Sequence, residues 1–153
     1  MTLIARLLHV GLGVFWAGTM MFATWLLAPA VQEVGPDGGK VMAALARRGM
    51  MTIMPIAAVL TLLSGLWLLW RVSAGFNPSY MGSTIGIVYS LGMLSALVAF
   101  GIGIAVVRPA MMQSATADPA RAQALRQRGS RAQRVVAVLL VVTVVCMAIA
   151  RYL

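Results

Sequence analysis

Residues 85–107 read IGIVYSLGMLSALVAFGIGIAVV, without one charged side chain. At 1.5 Å per residue an α-helix of this length reaches about 35 Å, enough to cross a hydrocarbon core of about 30 Å. Three more stretches have the same character: Leu7 to Val31, Met50 to Trp70 and Val135 to Ala150. The last has only 16 uncharged positions, and snorkelling of Arg134 and Arg151 at its ends extends its usable length. Four spans, about 7–31, 50–70, 85–107 and 135–150, with short connections use nearly all of the 153 residues. The expected fold is all-α, a single domain built as a four-transmembrane-helix antiparallel bundle.

Composition agrees. The chain is 61% hydrophobic and 10% charged, with a mean hydropathy of +0.94, too little polar surface to coat a water-soluble globule. The net charge of +9 would point to nucleic acid in a soluble protein, but here the basic residues fall in loops and at helix ends beside lipid headgroups, so no nucleic-acid partner is expected. Lys40, Arg47 and Arg48 lie in the first loop, and Arg108, Arg121, Arg126, Arg128, Arg131 and Arg134 in or beside the third. Only Arg6, Arg71 and Arg151 lie on the opposite side. The positive-inside rule then places the chain in the inner (cytoplasmic) membrane with both termini outside. The first span is too long for the h-region of a cleaved signal peptide. The single Cys146 excludes an intrachain disulfide.

Local signals set the boundaries. Pro29 with the glycines of 35–39 is expected to end the first span, and Arg108-Pro109 the third. Pro55 is expected to kink the second. Residues 39–48 suit a short interfacial helix. Asp118-Pro119 reads as an N-cap followed by proline at the first helical position, opening a polar helix that continues into the fourth span. Gly82, Gly86 and Ser90 form a small-residue row on the third span, which is the basis for expecting a homodimer; packing within the chain is the alternative. No internal repeat is evident beyond a pair of similar two-helix hairpins.

Catalytic chemistry has little material. One histidine and three acidic residues cannot make a carboxylate pair or a Ser-His-Asp triad within the spans, so a hydrolase is not expected. His9 is the exception, an ionisable group inside a span and therefore a functional candidate. His9, Gly13, Trp16 and Met20 share one stripe of the first helix. An imidazole with a gap beside it and an aromatic wall suits haem. A hydrogen bond from His9 to a neighbouring helix, with Gly13 and Trp16 as packing, explains the same residues. Tyr89 needs a partner for its hydroxyl and could face His9. Twelve methionines, clustered at Met20-Met21, Met50-Met51 with Met54, and Met111-Met112, suit either copper(I) or ordinary packing.

The string Leu8-His9, then Trp16-Ala17-Gly18, then Leu27-Ala28-Pro29-Ala30 resembles the first helix of the copper-resistance protein D family and its small four-helix relatives. More distantly it is similar to the HemJ-type protoporphyrinogen oxidase family, whose first helix carries a histidine ahead of a tryptophan. The resemblance implies a haem- or copper-associated membrane protein with a b-type haem on His9, Trp16 as a wall, and a redox partner. The spans lack a second histidine and any lysine, so a HemJ-like ligand pair is not available within one chain. The second iron ligand is then Met93, Met147, or His9 of a symmetry-related copy. Arg6, Arg71 and Arg151, expected on the same outer side, would meet the propionates. Haem-dependent redox activity follows from this reading; copper handling, small-solute permeation and a cofactor-free assembly role are the alternatives.

Overall fold

A computed structural model describes residues 2–153 apart from the side chain of Pro36. Six helices follow one another: α1 (Thr2–Glu33), α2 (Gly38–Arg47), α3 (Met50–Val72), α4 (Pro78–Met81), α5 (Thr84–Ser114) and α6 (Pro119–Tyr152). Of these, α1, α3, α5 and α6 are long and apolar enough to cross a membrane. Only 22–28% of each apolar core window is buried inside the bundle. Many of the remaining side chains face outward, among them Leu3, Leu7, Leu63, Leu94 and Val138, each more than half exposed. An apolar exterior over a small-residue interior is stable only in lipid, and the chain is a multi-pass membrane protein.

Chain neighbours pack against one another and α6 closes on α1, giving an up-down-up-down ring. The antiparallel register is explicit. A Cβ on Gly13 would lie 3.3 Å from Thr61 Cγ2, and one on Gly65 would meet His9, while Trp16 and Ala58 share the core. On the other hairpin, a Cβ on Gly92 would lie 3.0 Å from Cys146 Cβ, and one on Gly129 would lie 3.2 Å from Ala110. Without hydrophobic drive between helices in lipid, close backbone approach at such small residues is what holds the bundle. Hydroxyls inside the spans bond carbonyls one turn back: Thr24 to Met20, Thr61 to Ala57, Ser90 to Gly86 and Thr143 to Leu139.

The expected cap is present: Asp118 accepts from the Arg121 N–H at 3.0 Å, and a single helix runs from Pro119 into the fourth span. Ser83 caps α5 through the Gly86 N–H. The interfacial helix is also present, as α2, and Gly49 in the left-handed region (φ 86°) turns it into α3.

Two expectations need correction. Pro29 and Pro109 do not end their spans, because each is preceded by a π turn, Ala23–Leu27 and Gly103–Val107. There the Ala28 N–H bonds the Ala23 carbonyl, and the Arg108 N–H bonds the Gly103 carbonyl. The widened turn accommodates a proline ring that lacks an N–H, and the helix continues. The same device precedes an X-Pro-Ala sequence in both α1 and α5. The helix α3 is continuous through Pro55. In the Gly82, Gly86 and Ser90 row, Gly86 is buried and a Cβ on it would lie 2.8 Å from Met81 Cα, so this glycine seats α4 on α5. Gly82 is exposed, and the Ser90 hydroxyl donates to the Gly86 carbonyl one turn back in its own helix.

Candidate functional site

His9 lies half-buried on α1, two turns from its start. Its Nδ1 is 2.9 Å from the Thr61 carbonyl oxygen on α3. A carbonyl only accepts, so Nδ1 carries a proton and donates it to Thr61. The Thr61 carbonyl also accepts from the Ser64 hydroxyl at 3.1 Å, which fixes the acceptor from a second side. The hydrogen bond to a neighbouring helix expected as one explanation of His9 is therefore present, and it uses Nδ1 and not Nε2.

Room for the ring comes from Gly65. A Cβ there would stand 2.6 Å from His9 Cε1, 2.9 Å from Nδ1 and 3.4 Å from Met93 Cε. The histidine and the Met93 thioether thus meet over one glycine. Met147 goes elsewhere, its methyl group 3.1 Å from the position of a Cβ on Gly92, at the contact of α5 with α6. Gly13 gives its space to Thr61, and Trp16 sits in the core at 5% exposure rather than beside the imidazole. Tyr89 lies near Tyr80: the phenol of Tyr80, in the α4 connection, is pushed above its ordinary value by burial and by the neighbouring Tyr89.

Arg6, Arg71 and Arg151 lie at the same end of the bundle, at the start of α1 and the ends of α3 and α6. Arg71 stacks on Trp67 (5.7 Å) and Arg151 on Tyr152 (5.2 Å).

Thr61 and Gly65 escaped the sequence reading. Their signal is the row Ala57, Thr61, Gly65 at four-residue spacing on α3, all buried, the same pattern that drew attention to the third span.

At the opposite end the methionine clusters converge. Met20 of α1, Met42 of α2, Met50, Met51 and Met54 of α3, and Met111 of α5 line one cavity of about 130 Å³. Trp16 and Phe100 share its walls, and its lining includes no histidine, cysteine or carboxylate. Among the described residues there is no group of three or more His, Cys, Asp or Glu side chains able to hold a metal ion.

Comparison with known protein families, with curated proteins and with solved structures gives no match.

Proposed function

We propose that this membrane protein holds a b-type haem through His9, at the end of the bundle where both termini lie, and serves in electron transfer or haem handling. The observation that carries the reading is the Nδ1–H bond to the Thr61 carbonyl. A backbone acceptor on one ring nitrogen fixes the tautomer and the orientation of the other, as it does for metal-bound histidines generally. Met93 supplies a thioether at the same glycine gap, and a methionine opposite a histidine raises a haem's potential. An imidazole and a thioether are donor types that haem iron takes. Neither the methionine cavity nor its neighbour of about 240 Å³ is lined by His9, so a macrocycle there would sit on the lipid-facing surface or between two copies. Arg6, one turn before His9 and exposed, is the guanidinium best placed for a propionate. When bound, haem would supply one-electron chemistry; the chain itself orients the imidazole and keeps the donor pair out of bulk water.

Copper handling is less well supported. The methionines share their cavity with no imidazole, thiol or carboxylate, and thioethers among Trp and Phe walls are methionine's ordinary filling role.

The test is the absorption spectrum of the purified chain after expression with a haem precursor. The expected result is a Soret band that sharpens and shifts on reduction, is lost in His9→Ala and is altered in Met93→Leu. A colourless wild-type protein overturns the reading and leaves an assembly role; a band unchanged in His9→Ala moves the ligand elsewhere.

A further inference from the structure

The methionine cavity adjoins a second one of about 240 Å³, and the two share Ala28, Met42, Met111 and Gln133. Their linings differ in chemistry. The second is also mainly apolar, but α6 adds Arg126, Arg134, Ser130 and Gln133 to its lining, with Gln32 of α1 and Ser114 of α5. Its floor is tight, because Gly129 brings α6 to within 3.2 Å of Ala110 at the position of a Cβ. Neither lining contains an acidic residue. Among the described residues the one ion pair is Lys40 with Asp37, so Arg126 and Arg134 have no carboxylate partner. The second cavity lies where α1 and α5 end and the polar part of α6 gives way to its apolar span, which is headgroup depth, and the methionine cavity runs deeper, to Trp16, Ala58 and Ala99.

We propose that the two cavities together form a site for one anionic phospholipid. Its phosphate lies between Arg126 and Arg134, with Gln32, Ser130 and Gln133 as further hydrogen-bond partners, and part of one acyl chain enters the methionine cavity. About 130 Å³ is the scale of an apolar site that takes a benzene-sized group. A few methylenes fit, and the rest of the chain lies along the bundle surface. Unbranched thioether side chains suit an acyl chain, which presents no fixed shape. Arg108, which lines the methionine cavity at its polar edge, adds a third positive charge near the glycerol region. Gly129 and the two π turns serve this site, the first by letting α6 close its floor against α5, the others by carrying α1 and α5 past their prolines to its walls.

The experiment is native mass spectrometry of the full chain in neutral detergent, titrated separately with dioleoyl-phosphatidylglycerol and dioleoyl-phosphatidylcholine. One phosphatidylglycerol per chain is expected to remain bound where phosphatidylcholine is lost. Arg126→Gln with Arg134→Gln should weaken it roughly tenfold or more, from the loss of two cationic contacts. Arg121→Gln with Arg128→Gln removes the same charge from α6 outside both cavities and should change binding less than about twofold. Equal retention of the two lipids, or equal losses in the two double variants, would overturn the site in favour of unspecific attraction to charge. Displacement of the lipid by millimolar inorganic phosphate would overturn the acyl-chain half and leave only a phosphate site.

Discussion

Replacing Gly65 by alanine adds one methyl group, and the structure says where it goes. It would stand 2.6 Å from His9 Cε1 and 2.9 Å from Nδ1, inside contact distance, so the ring has to move. Moving it breaks the 2.9 Å bond to the Thr61 carbonyl. Overpacking of this kind costs about 1–3 kcal/mol, and an interhelical hydrogen bond in a membrane adds about 0.6 kcal/mol. Alanine's better helix propensity returns up to about 1 kcal/mol. The net expectation is a loss of about 1–2 kcal/mol, read as a lower midpoint of unfolding in detergent. A second readout is specific to the site. The chain has one histidine, so a ¹⁵N-histidine label gives a spectrum that needs no assignment: wild type should show the Nδ1–H tautomer, and Gly65→Ala should shift or broaden it. Gly11→Ala is the matched control, because nothing lies within 4 Å of its Cβ position; it should be neutral or slightly stabilising. Wild-type stability and an unchanged histidine spectrum in Gly65→Ala would refute the reasoning, as would an Nε2–H tautomer in the wild type.

Further outcomes follow from the same contacts. Single cysteines at Ser79 and Thr116, both exposed, should react with a membrane-impermeant reagent added outside only at Ser79; labelling at Thr116 alone would invert the topology. Ser73, otherwise a natural labelling position, is 1% exposed and accepts the Phe76 N–H, so it should stay silent. Gly86→Leu should lower thermal stability by more than about 2 kcal/mol, because it collides with the backbone of Met81, and should leave any oligomer in detergent unaltered; a shift in mass at unchanged stability would restore the dimer interface. Thr143→Val, which gives up bonds to the Gly92 and Leu139 carbonyls, should cost only about 0.6 kcal/mol. Gly92→Val, pressing on Cys146 Cβ and Met147 Cε, should cost more; the opposite ranking in a denaturation series would show that hydrogen bonding, not close approach, joins α5 to α6.

How much of this was legible beforehand depends on whether a feature is local. The four spans, the interfacial helix and the Asp118 cap were readable because apolar length and end-group chemistry reside in consecutive residues. The prolines misled because a breaker in one turn is rescued by the geometry of the preceding turn, and a π turn has no residue signature of its own. His9 was visible as the only imidazole, and its depth followed from counting turns. Its partners were not. A soluble helix announces its inward face by amphipathicity, but a helix whose outward face meets lipid is apolar all round, so no pattern says which stripe of α3 or α5 meets α1. The meeting of Met93 with His9 over Gly65, the separation of Met147 from both, and the gathering of methionines from four helices into one cavity were decided by the antiparallel register. That register is set by where small residues let backbones approach, a property of helix pairs that only the tertiary structure holds.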